Sequence, residues 1–301
     1  MTGVSAGAGT HPIGRLRLWV AGARPRTLAA AWVPVAVGTA AGRLSAPGGV
    51  AWWRAAAALV VAVLVQVGTN YANDYADGVR GTDRDRVGPL RLTASGLASP
   101  ARVRAAALVS FAGAAGAGLA LAAVAGWWLV AVGLSCFAAG WFYTGGPRPY
   151  GYLGLGEVFV FVYFGLVATV GSAFVQHGRF SALAVVVSVP VGLLSVGLLE
   201  ANNLRDLDAD RVAGKRTLAV RVGAARAPWL YLGAVGLALA SVGLVGWLRP
   251  AGLLALAAAP LAVGPCALVR CRRGRDLVPA LAGTGRLQVA VGVLLTLGLA
   301  L

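Results

Sequence analysis

The chain has 301 residues, of which 58% are apolar and only 12% charged, with a mean hydropathy of +0.78. Water-soluble domains carry about 25% charged residues, so this composition excludes an ordinary soluble fold and points to a polytopic α-helical membrane protein. A membrane β-barrel is also excluded, because the apolar residues run continuously instead of alternating. A net charge of +16 in a soluble protein would suggest a nucleic-acid partner. Here it fits the enrichment of Lys and Arg in cytoplasmic loops, and no nucleic acid is expected.

In chain order, residues 1–26 form a basic cytoplasmic leader ending in ARPRT, and 27–301 form a single transmembrane domain. The domain divides into nine apolar runs, approximately 27–43, 52–76, 101–122, 125–144, 153–175, 180–203, 227–247, 250–269 and 283–301. Each is about as long as a bilayer-spanning helix. Their many Gly and Ala residues suit close helix packing in lipid. All but four of the 26 Lys and Arg residues (Arg43, Arg54, Arg179 and Arg249) fall in the leader or in connections after even-numbered runs. That split puts the N-terminus inside and the C-terminus outside. Cys136, Cys266 and Cys271 form no CxxC pair and His11 and His177 stand apart, which disfavours zinc, haem or a disulfide framework.

Seven of the ten acidic residues lie in two polar islands, NYANDYADGVRGTDRD at 70–85 and EANNLRDLDADRVAGKRT at 200–217. Both follow even-numbered runs and so lie at the cytoplasmic face. If the second run continues as a helix, Gln66, Asn70, Asn73, Asp74 and Asp77 share one face, and Asn202, Asp206 and Asp210 make a second stripe. Carboxylates at membrane depth face a bundle interior or an aqueous cavity, and two acidic stripes held together need a cation between them. Oxygen ligands without His or Cys suit Mg2+, which is commonly shared with substrate phosphates. Arg80, Arg84, Arg86, Arg91, Lys215 and Arg216 surround the islands and suit an anionic group. Together these residues describe a diphosphate site beside a lipid-accessible cavity. Asp85, Asp208 and Asp276 are expected to be surface charges. A transporter with a buried acidic ion path is the rival class, but acids at run ends on one face fit a surface-opening site better.

NDYADGVRGTD at 73–83 and NNLRDLDADRVAGKRTLAVRVG at 202–223 resemble the two aspartate-rich motifs of the UbiA superfamily of intramembrane prenyltransferases. The acid at Asp83, with Gly81 four residues after Asp77, favours the branch acting on 1,4-dihydroxy-2-naphthoate in menaquinone synthesis. ARPRTL at 23–28, GPLRLTASG at 88–96 and YTGGPRPYGYLGLGEVFVFVYFG at 143–165 extend the likeness, and Arg148 is its one small departure. The resemblance implies nine helices around a central cavity. It also implies transfer from a polyprenyl diphosphate to the naphthoate with loss of carbon dioxide, giving demethylmenaquinone. Other acceptors in the superfamily, such as 4-hydroxybenzoate or homogentisate, are the alternative. By the same resemblance, Asn73, Asp77 and Asp83 hold one Mg2+ with the diphosphate and Asp206 and Asp210 a second. Arg80 and Lys215 would meet diphosphate oxygens, with Asn202, Asn203 and Arg205 assisting and Asn70 and Asp74 on the same wall. Tyr71, Tyr75, Trp141, Phe142 and Tyr143 are candidates to shield an allylic cation. Glu157, a carboxylate inside a run, either acts on an acceptor hydroxyl or pairs with Arg148. Arg26 is a candidate for the acceptor carboxylate, and Glu200 for bracing the second motif.

Overall fold

Residues 14–44, 48–82 and 90–301 are described by a computed structural model. Ten helical segments follow in order: α1 Arg15–Ala23, α2 Ala29–Arg43, α3 Trp52–Arg80, α4 Pro100–Ala125, α5 Trp128–Phe142, α6 Gly156–His177, α7 Ala182–Val212, α8 Ala227–Leu248, α9 Pro250–Cys271 and α10 Gly274–Ala300. No strand occurs among the described residues. This is the expected solution in hydrocarbon, where each backbone N–H and C=O must be satisfied within its own helix. All nine predicted apolar runs are helical. Seven helices among the described residues are long and apolar enough to cross a bilayer. The 15-residue α2 and α5 fall short of a usual span, so length and composition support seven crossings and not yet nine. The protein is a multi-pass membrane protein.

Two departures from the sequence reading matter for the site. Helix α3 runs on to Arg80 and α7 to Val212, so both polar islands are carried on helices that project past the apolar runs. Gly81, at φ 74°, ends α3 in the left-handed conformation that glycine adopts without strain. The leader, in turn, is partly built into the domain. Trp19 packs edge-on against Tyr71 at 5.7 Å between ring centroids, and the Tyr71 hydroxyl donates to the Trp19 carbonyl at 2.7 Å. Residues 15–26 therefore belong to the fold, because two amphipathic aromatic residues give α1 a seat on α3.

The helices pack in two groups. Helices α3, α4 and α5 stand on one side and α7, α8, α9 and α10 on the other, with α2 and α6 between them and α10 closing onto α2. The buried apolar residues are correspondingly split. One large cluster fills the α7–α10 side, and two smaller ones sit around α3 and α4. The space between the groups is the cavity.

Small residues set the closest approach between α6 and α7. A Cβ on Gly165 would lie 2.7 Å from the Gly192 Cα, and one on Gly192 would lie 3.0 Å from the Gly165 Cα. Gly165 sits in a π-helical stretch, Phe161–Val167, the kind of wide turn that collects at functional sites. Replacing Gly165 with Val should lower stability by about 1–3 kcal/mol through overpacking, measured as a fall in the thermal midpoint of the purified protein. Gly233→Val, at a position with no atom close by, should leave that midpoint nearly unchanged.

Candidate active site

The two islands meet. Asp77, near the end of α3, accepts a hydrogen bond from Lys215 Nζ at 2.9 Å on Oδ2 and from the Tyr152 hydroxyl at 2.7 Å on Oδ1. Arg91 Nη2 lies 4.0 Å from the same carboxylate. Lys215 is itself fixed by its backbone N–H, which donates to the Asp210 carbonyl at 2.8 Å just beyond α7. Its ammonium also stands 5.1 Å from the Tyr152 ring centroid, a cation–π distance. The Tyr152 carbonyl accepts from the Arg216 N–H at 3.2 Å, so the α5–α6 connection is tied to both islands. Burial and then the Asp77 charge raise the Tyr152 pKa. The phenol therefore stays protonated and remains a donor to Asp77.

Beneath this cluster lies a cavity of about 1630 Å³. Among the described residues its wall carries seven cations, Arg24, Arg26, Arg91, Arg205, Lys215, Arg275 and Arg286, against two carboxylates, Asp77 and Asp210. A wall with this imbalance favours a ligand of high negative charge. The cavity continues along α3 as far as Ala58, with Val35, Leu121 and Val175 at the same end. From Asp77 to Ala58 this is about 28 Å at 1.5 Å per helical residue, and nearly all of it is hydrocarbon-lined.

An aromatic ladder forms one side. Tyr143 meets Tyr150 edge-on at 5.5 Å, Tyr150 stacks on Phe159 at 3.9 Å, and Phe159 stacks on Tyr163 at 6.0 Å. All four line the cavity. Of the five aromatic residues expected there, only Tyr143 is on this wall. Tyr71 is occupied with Trp19, Tyr75 and Trp141 line a separate small cleft, and Phe142 is exposed. The residues that sequence reasoning missed sit on a 3-10 turn, Tyr150–Leu153, and on or beside the π-helical stretch. An α-helical period does not register side chains there.

The other predicted residues divide into those on the wall and those behind it. Asn73, Asn70, Asn202, Asn203, Arg205, Asp210, Lys215, Arg26 and Tyr143 line the cavity with Asp77. Asn73 Oδ1 accepts from the buried Thr144 hydroxyl at 2.8 Å. Asn70 donates to the Ala23 carbonyl at 2.9 Å and to Thr27 at 3.1 Å, pinning the turn that carries Arg24 and Arg26. Asp206 stands behind Arg205, whose guanidinium forks onto both carboxylate oxygens at 2.8 and 2.7 Å. Arg80 is turned to the Thr144 and Gly146 carbonyls and over the Tyr152 ring, away from the cavity wall. Glu157 is buried and accepts from Asn203, while Arg148 is exposed, so the Arg148 pair expected for Glu157 does not form. Asp83, Arg84, Asp85 and Arg86 lie outside the described residues. Asp208 and Asp276 are exposed, as surface charges should be.

Asp74 is corrected from cavity ligand to anchor. It is fully buried, is no part of the wall, and accepts the backbone N–H groups of Leu92 and Thr93 at 2.8 Å each. Those bonds hold the turn that delivers Arg91. The sequence signal was ambiguous, since Asp74 lies on the same helix stripe as Asn70 and Asp77.

Comparison with known proteins decides the family. The chain matches the UbiA prenyltransferase family over residues 31–283. This protein belongs to that family. A 1,4-dihydroxy-2-naphthoate octaprenyltransferase of Mycobacterium tuberculosis is 49% identical over 89% of this chain and 91% of its own length. The Escherichia coli protein of the same name is 38% identical over 70% of each chain. Among solved structures, a UbiA homolog from Archaeoglobus fulgidus bound to GPP and Mg2+ shares the fold with a TM-score of 0.68. It covers 92% of this chain and 99% of its own, at 15% identity.

Asp74→Ala should leave two buried N–H donors unsatisfied and destabilise the protein by roughly 2–4 kcal/mol. The check is thermal unfolding beside Asp208→Ala, an exposed site that should melt like wild type.

Proposed function

We propose that this UbiA-family protein transfers a polyprenyl group from polyprenyl diphosphate to 1,4-dihydroxy-2-naphthoate, releasing diphosphate and carbon dioxide and giving demethylmenaquinone. The observation that carries the reading is one cavity joining a cation-rich mouth to a hydrocarbon channel about 28 Å long. That shape matches an anionic head on an isoprenoid tail. The names of the relatives at 49% and 38% identity supply the acceptor.

The donor set fits Mg2+. Asn73, Asp77, Asn202 and Asp210 present only oxygen and amide groups to the cavity, and Asp77 Oδ2 already accepts a cation, the Lys215 ammonium. Asn73, Asp77 and Asp83 would hold one ion, and Asp210 with Asp206 a second. Such ions supply Lewis-acid stabilisation of the departing diphosphate. The chain's own residues do the rest. Arg91, Arg205 and Lys215 meet negative charge as it develops on the leaving group, from positions fixed in advance by Asp74, Asp206 and Tyr152. The aromatic ladder offers π faces to the allylic cation, and the dry channel keeps water from capturing it. The electron-rich naphthoate ring then forms the new carbon–carbon bond, and its carboxylate leaves as carbon dioxide. The Lys and Arg distribution places both islands and the N-terminus on the cytoplasmic side and the C-terminus outside.

Asp77→Asn should cut prenyl transfer by at least about a hundredfold with membrane insertion unchanged, scored by product formation with purified protein, Mg2+ and a long prenyl diphosphate. Near-normal turnover would remove the metal-site reading. In the same assay, transfer to 4-hydroxybenzoate but not to dihydroxynaphthoate would reassign the acceptor and keep the class.

A further inference from the structure

Behind the cavity wall, between α6 and α7, lie two carboxyl groups that diphosphate chemistry does not use. Glu157 is 9% exposed and Glu200 1%. The Glu200 carboxyl lies against that of Glu157. Neither group lines the cavity. Glu157 Oε1 accepts from Asn203 Nδ2 at 2.9 Å, whereas Glu157 Oε2 and both Glu200 oxygens find no donor. Two carboxylates in contact in a dry site cannot both stay charged, so the pair shares one proton.

That arrangement settles an orientation. With the shared proton bridging Glu157 Oε2 and Glu200, Glu157 Oε1 is left as a pure acceptor. The Asn203 amide must then point its NH2 group back at Glu157 and its carbonyl oxygen toward the cavity. Asn203 is 7% exposed and is on the wall. It stands close to the aromatic ladder, since Tyr143 and Leu199 pack at Gly156, one residue before Glu157. A carbonyl oxygen backed by two carboxyl groups repels a phosphate oxygen and attracts a hydroxyl proton.

We propose that the Asn203 carbonyl oxygen reads a phenolic hydroxyl of the aromatic acceptor, and that Glu157, backed by Glu200, is the positioning pair that fixes the amide for this task. The inference rests on the aromatic-acceptor reading above and deepens it by assigning acceptor specificity to one atom. A site built to receive an O–H strongly rejects an analogue that lacks it.

The test uses the full-length protein with Mg2+, one prenyl diphosphate, and dihydroxynaphthoate beside its two mono-methyl ethers. Wild type should prefer the free diphenol over one of the ethers by about a hundredfold in kcat/KM. In Asn203→Leu and Asn203→Ala that preference should fall below about tenfold and KM for the diphenol should rise about tenfold, with KM for prenyl diphosphate unchanged. Glu157→Met should reproduce this pattern. Glu157→Gln should restore most of the loss, because its carbonyl accepts from Asn203 and its NH2 group donates to Glu200. The proposal is overturned if the Asn203 variants keep the discrimination, or if Glu157→Gln is as impaired as Glu157→Met. It is equally overturned if the KM for prenyl diphosphate or the Mg2+ requirement rises along with that for the acceptor. Failure of wild type to prenylate any hydroxynaphthoate would instead sink the parent reading.

Discussion

The structure depends on keeping ionic groups out of hydrocarbon while holding enough of them together to manage a polyanion. The solution is a single carboxylate, Asp77, where α3, the Tyr152 turn and the segment after α7 meet. Without that junction, Lys215 would be a buried cation with no counter-charge, a costly state. The two helix extensions and the α5–α6 connection would then have no common anchor. Much of the surrounding polar architecture serves this node. Asp74 positions the turn bearing Arg91, Asp206 orients Arg205, and Asn73 is held by Thr144.

The arrangement separates two jobs that acidic residues perform at such a site. Some carboxylates face the cavity. Others sit one layer back and aim the cations that do. Arginine beside a carboxylate is stiffer than arginine alone, since the bidentate fork fixes the guanidinium plane. A preorganised array of this kind costs little reorganisation when charge shifts from carbon–oxygen bond to leaving group.

Much of this was legible in the residues themselves. Continuous apolar runs determined the helical class, and the spacing of Asn73 and Asp77 put them on one face. The motif NNLRDLDAD placed Asn202, Asn203, Arg205 and Asp210 on the cavity wall. Periodicity did not separate Asp74 from Asp77, because a helix stripe says which residues are neighbours and not which backbone N–H groups await them on a distant turn. It was equally blind to Tyr150, Tyr152, Phe159 and Tyr163, which lie where the chain leaves α-helical geometry. Arg80 misled for a related reason. A cation beside an acidic motif also suits the bare carbonyls of a neighbouring turn, and those of Thr144 and Gly146 took it.

The wide turn in α6 has a bearing on how this chain tolerates change in length. A π-helical segment holds more residues per turn than the α-helix around it. Deleting one residue between 161 and 167 would let the helix relax to ordinary pitch and remain intact as a membrane segment. Yet the two halves would then be rotated by about 100° relative to each other, setting Glu157 and Phe159 against a face their partners do not occupy. Hydropathy would record nothing amiss, because such a shortened chain would keep its apolar runs and its acidic motifs. It would lose only the angular register between the acceptor side of the cavity and the Gly192 contact.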